Sequence, residues 1–191
     1  MIPSASPSVG EEEKRRVEAV IDSGMLAEGD VVEAFQAEFA DYCGVDRGVA
    51  TTNGTTALHA ALVGLGVGEG DRVLTTPFSF IATANAVRLA GAEVDFVDVD
   101  PRTYNIDPDA LEARLRDGER VDAVVAVHLY GLPADVGRLG ELADEYDFKL
   151  LEDAAQAHGA RYDGERVGSF GDAACFSFYP TKNMTTGEGG M

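Results

Sequence analysis

The chain has 191 residues, enough for one large domain or part of a bigger protein. Its formal net charge of -19 repels nucleic-acid phosphates and anionic membrane surfaces, so neither is expected as a partner. A hydrophobic fraction of 45% is ordinary for a globular protein and excludes general disorder.

The acidity suits a salty cytoplasm, where counter-ions screen self-repulsion; it equally suits an acidic protein of a mesophile. Cys43 and Cys175 lie far apart in apolar contexts and read as buried free thiols of a reducing cytosol. No metal-type Cys or Cys/His spacing occurs. The N-terminal Met-Ile-Pro-Ser-Ala-Ser-Pro-Ser has neither the charged nor the apolar region of a signal peptide, and no apolar run approaches a membrane span. The expectation is a soluble, cytoplasmic protein.

Residues 1–10 read as a flexible Pro/Ser arm. Glu11 to Ser23 reads as a helix with Val17, Val20 and Ile21 on one face and Gly24 as its stop. Asp30 is expected to cap a second helix carrying Val31, Ala34, Phe35 and Phe39, and Arg47 to Thr51 to form a short strand. Asn53-Gly54-Thr55-Thr56 then opens a third helix. The Gly-rich run from Gly64 to Gly70 follows that helix, not a strand, and reads as its end and a turn.

From there strand and helix alternate: strand Arg72–Thr76, helix Phe80–Ala90, strand Glu93–Asp98, then helix Pro108–Arg116 capped by Asp107. Val121 to His128 is almost continuously apolar, as in a strand buried on both faces. Helix Ala134–Tyr146, strand Lys149–Glu152 and strand Ala173–Phe178 complete the series. This alternation predicts an α/β fold, a mostly parallel sheet with helices on both faces. Ligands of such sheets sit beyond the carboxyl ends of the strands.

Those ends carry the chemistry. Gly54 and Thr55 stand at a helix N-terminus, where free N–H groups and the helix dipole suit a phosphate, although a plain capped helix start looks the same. Phe78 and Phe80 follow the next strand and suit either a planar ligand or core packing. Asp153 follows a buried strand, where a carboxylate needs a cation or a protonated ring nitrogen; its bland role is to cap a turn. Ser177 and Lys182 follow the last strand. Lys182 lies between aromatic residues and a Gly-rich turn, where burial favours the neutral, carbonyl-attacking amine. The only other lysines are Lys14 and Lys149. Together these groups match what pyridoxal phosphate needs: phosphate held, ring stacked, ring nitrogen paired with a carboxylate, aldehyde bound to lysine. His59, His128 and His158 are expected to make local hydrogen bonds, not a metal site. Tyr130 and Asn183 are expected to line the rim.

The motifs Asn53 to Leu58, Pro77 to Asn85, Val97 to Pro101 with Tyr104 to Asp107, and Val127 to Gly131 occur in one recognisable order. Glu152 to Gly159, Val167 to Asp172 and Ser177 to Met191 follow them. In this the chain resembles the DegT-type (DegT/DnrJ/StrS) sugar aminotransferases, pyridoxal-phosphate enzymes of fold type I. The resemblance covers nearly the whole chain. It implies that Lys182 holds the cofactor as an imine and shuttles the proton between the donor's α-carbon and the cofactor. It implies that Asp153 keeps the ring nitrogen protonated and Gln156 bonds the ring hydroxyl. Phe80, with Phe78 as the alternative, would stack on the ring, and Gly54, Thr55 and Ser177 would bind the phosphate. It further implies an amino-acid donor, usually glutamate, a keto sugar on a nucleotide as acceptor, and a homodimer. Dehydratases of the family carry His where this chain has Lys182, so Lys favours amino transfer. Family members continue past the point corresponding to Met191. Residues 1–191 are therefore expected to be the N-terminal part of the large domain without the C-terminal domain. The alternative is a truncated, non-catalytic fragment.

Overall fold

A computed structural model describes residues 5–191; the first four residues of the expected arm lie outside the described residues. Helices α1 (Glu11–Ser23), α2 (Asp30–Cys43) and α3 (Gly54–Gly64) come first. Next come β1 (Arg72–Thr75), α4 (Ala82–Leu89), β2 (Glu93–Phe96), α5 (Pro108–Arg116), β3 (Ala123–Val127), α6 (Val136–Tyr146) and β4 (Lys149–Asp153). A small antiparallel hairpin, β5 (Arg161–Tyr162) and β6 (Glu165–Arg166), precedes β7 (Ala173–Cys175).

Five strands pair in parallel in the order β2-β1-β3-β4-β7. The two-residue period of the strands divides the core. Val73, Ala123, Val125 and Leu151 face Leu58, Leu62, Ala86 and Val87 of α3 and α4. Leu74, Val124, Ala126 and Leu150 face Leu111, Leu115, Leu139 and Leu142 of α5 and α6. Helices thus cover both faces, which is why β3 is apolar at every position and buried throughout. A third cluster docks α2, through Phe39 and Cys43, against Phe176, Phe178 and Met191. Each such full burial of a Leu or Phe contributes roughly 1.5–3 kcal/mol. The chain order reverses between β1 and β3, and the crevice beyond their carboxyl ends is where this topology places ligands.

Several expected elements differ. Arg47 to Thr51 is not a strand: only Thr51 pairs, in an antiparallel bridge with Gly190. Residues 189–191 lie between Thr51 and Phe176–Phe178, exchanging main-chain bonds with both. Beyond them, Arg47 to Val49 and β7 are separated by a groove of about 430 Å³, so that backbone has no partner among the described residues. The same pairing takes Phe176–Phe178 out of β7, which ends at Cys175. Asp30 is the first helical residue, and Gly29 is the N-cap, with no side-chain capping bond. In α1 no residue is buried, so its apolar face of Val17 and Ile21 stays open, although Gly24 ends it as expected in the left-handed region, φ +73. The β5–β6 hairpin has no counterpart in the sequence reading. Both cysteines are free and buried. No described helix is long and apolar enough to cross a membrane.

Candidate active site

A cavity of about 440 Å³ opens at the carboxyl ends of the strands. Gly54, Thr55, Phe80, Asp153, Gln156, Ser177 and Lys182 all line it. Residues drawn from four separate stretches of sequence therefore meet in one place.

Asp153 ends β4 and is held there by the apolar residues before it, Leu150 and Leu151. Its Oδ2 accepts from the Thr83 hydroxyl at 2.7 Å and its Oδ1 from the Ala155 N–H at 3.2 Å. It has no ion-pair partner among the described residues. Burial pushes its pKa up, and the Thr83 bond and the more distant Lys182 charge oppose this. Lys182 is set by a turn whose main-chain N–H donates to the Tyr179 carbonyl at 2.8 Å. Burial pushes its ammonium pKa down, against the pull of Asp153. Neither Asp153 nor Lys182 has an ion-pair partner among the described residues, and both line the cavity.

At the N-terminus of α3, Asn53 caps the helix by accepting from the Thr56 N–H at 2.9 Å. The N–H groups of Gly54 and Thr55 are left without acceptors among the described residues. Gly54 lies so close to Ser177 that a Cβ there would sit 2.8 Å from the Ser177 Cβ, so only glycine lets this cradle close. Phe80 lines the cavity, whereas Phe78 leans on Tyr104 with ring centroids 5.5 Å apart. Of the two, Phe80 is the one at the cavity wall. Gln156 Oε1 accepts from the Tyr130 N–H at 2.8 Å, which fixes the amide and leaves its NH₂ as the group free to donate. Tyr130 adopts a left-handed φ of 52, strained for a tyrosine, to make that bond.

Two features escaped the sequence reading. Thr83, on the first turn of α4, is buried against Asp153. Glu152 is fully buried and holds the site's frame together: it accepts from the N–H groups of Gly168, Phe170 and Gly171 and pairs with His128 Nε2 at 2.9 Å. His128 Nδ1 accepts from the Ala134 N–H at 3.0 Å, so the proton sits on Nε2 and the ring is neutral. Burial opposes ionisation of Glu152, but His128 and the backbone donors prevail and its pKa lies below the ordinary value. The only legible signal was a Glu next to an Asp at a strand end.

The expected local hydrogen bonds hold for His128 but not for His158. Both His158 ring nitrogens lack a hydrogen-bond partner, and the ring packs among Phe39, Phe176 and Phe178. Burial lowers its pKa from 6.5 to about 4; the Ser177 main chain favours the proton but falls short of hydrogen-bond geometry. Below pH 6.5 the unfolded chain binds the proton first, so stability falls with acid, by about 3 kcal/mol by pH 4. Denaturant melts at pH 7 and pH 4 should show this loss, and His158→Phe should remove it; an unchanged acid slope in that variant contradicts the assignment. No three described His, Cys, Asp or Glu side chains converge as a metal site.

A sequence profile of the DegT/DnrJ/EryC1/StrS aminotransferase family matches residues 7–191, and the chain belongs to this family. It is 44% identical over 191 residues to the GDP-perosamine synthase of Caulobacter vibrioides, covering all of this chain and 51% of that protein. Among solved structures, the aminotransferase from Psychrobacter cryohalolentis superposes with a TM-score of 0.91 at 41% identity, over 97% of this chain and 48% of that one. The PLP form of a Streptococcus pneumoniae protein described as a sugar aminotransferase superposes with a TM-score of 0.92 at 28% identity, over 99% of this chain and 52% of that one. The chain spans about half the length of the curated relatives it matches. Pyridoxal phosphate is the cofactor of this family, and the residues present fit it. The cation-free Asp153, the free amine of Lys182, and the paired free N–H groups beside Ser177 each answer a different part of that molecule.

Proposed function

We propose that this chain carries the cofactor site of a cytoplasmic aminotransferase. The enzyme moves an amino group from an amino acid, glutamate, to a keto group of a nucleotide-linked deoxy sugar. One observation carries the reading: Asp153 and Lys182, neither in an ion pair among the described residues, line one cavity with an anion cradle and an aromatic ring. The sugar class rests on relatives such as the GDP-perosamine synthase. When bound, pyridoxal phosphate supplies an electron sink for bonds at the amino-bearing carbon.

The chain's residues prepare that chemistry. The N–H groups of Gly54 and Thr55 and the hydroxyl of Ser177 bind the phosphate, helped by the α3 dipole. Phe80 would lie against the ring, Gln156 would offer its NH₂ to the ring hydroxyl, and Asp153 would keep the ring nitrogen protonated. Lys182 would hold the aldehyde through its amine and would serve as the base that takes the donor's α-proton. The low-dielectric walls around Asp153 strengthen its hold on a cation.

The exposed side chains of Phe80 and Tyr179 line the cavity, and those of Phe78 and Ile81 flank Phe80. Such a patch suits a second copy of the chain closing over the site, as a homodimer. Light scattering of the cofactor-loaded protein should give twice the 20.2 kDa chain mass; a single-chain mass contradicts this.

The function is tested by loading the chain with pyridoxal phosphate, adding L-glutamate and measuring 2-oxoglutarate. One equivalent of keto acid per chain supports amino transfer, and a chain that does not bind the cofactor overturns it. Cofactor bound without release of keto acid counts against amino transfer by these residues.

A further inference from the structure

The Thr83 hydroxyl stands between two groups, 2.7 Å from Asp153 Oδ2 and 2.8 Å from Ser79 Oγ. Thr83 is 1% exposed, and the turn that presents Phe80 to the cavity also brings this hydroxyl to Asp153, seventy positions further along the chain. Donor counting gives the direction of the relay. An ionised carboxylate only accepts, so Thr83 commits its one proton to Asp153, and Ser79 must donate to the Thr83 oxygen. Ser79 lines the cavity and is left with lone pairs alone to offer a ligand. On Asp153, Oδ1 takes only the longer bond from the Ala155 N–H. It is the oxygen with capacity to spare.

We propose that Thr83, held by Ser79, is a positioning residue that fixes Oδ2 of Asp153 and so keeps Oδ1 free for the protonated ring nitrogen of the bound cofactor. The proposal rests on the reading that this cavity binds pyridoxal phosphate. It explains why a hydroxyl occupies a place where α4 otherwise buries Ala86 and Val87. Thr83 touches no part of the cavity itself. It acts through Asp153.

The groups that bear on Asp153 are few. Thr83 approaches from α4, the Ala155 N–H from its own turn, Lys182 from across the cavity, and His128 from the position just after β3. Removing the Thr83 proton therefore leaves the carboxylate one donor poorer in a buried site.

The test uses Thr83→Val, which keeps the shape and loses the hydroxyl, with Thr83→Ser as the conservative partner. Carboxyl carbon NMR of Asp153 in the cofactor-free chain should show its titration moved to higher pH in Thr83→Val and restored in Thr83→Ser. A residue that only fills space would not move it. Pyridoxal phosphate affinity should fall about 10- to 100-fold in Thr83→Val and stay within about threefold of native in Thr83→Ser, the effect of one hydrogen bond to a charged group. Should Thr83→Val fail to fold, Ser79→Ala carries the test, with a smaller shift of the same sign expected. An unmoved Asp153 titration overturns the proposal, as does a moved titration with unchanged cofactor affinity. A native chain that binds no cofactor overturns the underlying reading instead, while the titration still decides whether Thr83 holds Asp153.

Discussion

Lys182→Ala should abolish covalent capture of pyridoxal phosphate, so that borohydride reduction leaves no label on the chain. The chain has three lysines, and the other two are already engaged. Lys14 pairs with Glu11 on α1, and Lys149 with Asp172 at 3.0 Å. Only Lys182 combines partial burial, a lowered pKa and a place in the cavity wall. The phosphate cradle and Phe80 remain in the variant, so weak reversible binding should survive. Its affinity should be about 100-fold lower, on the order of 3 kcal/mol. Fluorescence titration gives the affinity and mass spectrometry the label. A label that persists in the variant transfers the role to Lys149 or Lys14.

Asp153→Asn should make the cofactor-free chain more stable at neutral pH and at the same time weaken its hold on the cofactor. The folded pKa of Asp153 is raised by burial, so the folded chain keeps that proton to a higher pH than the unfolded chain does. Stability is therefore full below the ordinary carboxyl value and is lost as pH rises through the folded value. Asparagine is neutral at every pH and removes the loss. The variant should melt higher than the native chain at pH 8 and no higher at pH 4. It can no longer offer a charge to a ring nitrogen, and cofactor affinity should drop by at least about tenfold, or about 1.4 kcal/mol. A variant that binds as tightly as the native chain removes Asp153 from the site. One with the native pH dependence removes the burial argument.

Stability and function therefore pull apart at this residue. A neutral side chain is the better tenant of an empty site, and a carboxylate the better one when a cationic ring arrives. His158 and Glu152 show the two other ways of burying a titratable group nearby. His158 is held neutral among phenylalanines, and Glu152 is held charged by three backbone N–H groups and a neutral imidazole. Only Asp153 faces the cavity with capacity left over.

The sheet was legible because β3 is an unbroken apolar run and short strand segments alternate with helix-period ones, and the site followed from asking what stands after each strand. Phe80 was not separable from Phe78 by sequence, because both follow β1 within five residues; in the structure Phe78 leans on Tyr104 and Phe80 lines the cavity. Thr83 stayed hidden because a threonine in a helix's first turn looks like an ordinary helix start, and its partner is 70 positions away. Arg47 to Thr51 has a strand's composition, but strand pairing depends on a neighbour, and residues 189–191 reach only Thr51. The pattern in α1 is amphipathic, yet its apolar face meets nothing among the described residues. Periodicity reports a face that can be buried, and only contacts report one that is.

The most direct measurement is borohydride reduction of the purified 191-residue chain with pyridoxal phosphate, followed by peptide mapping of the modified lysine. The predicted result is a single stoichiometric adduct on Lys182. An adduct on Lys14 or Lys149, or none on a folded chain, would contradict the assignment of this cavity as the cofactor site.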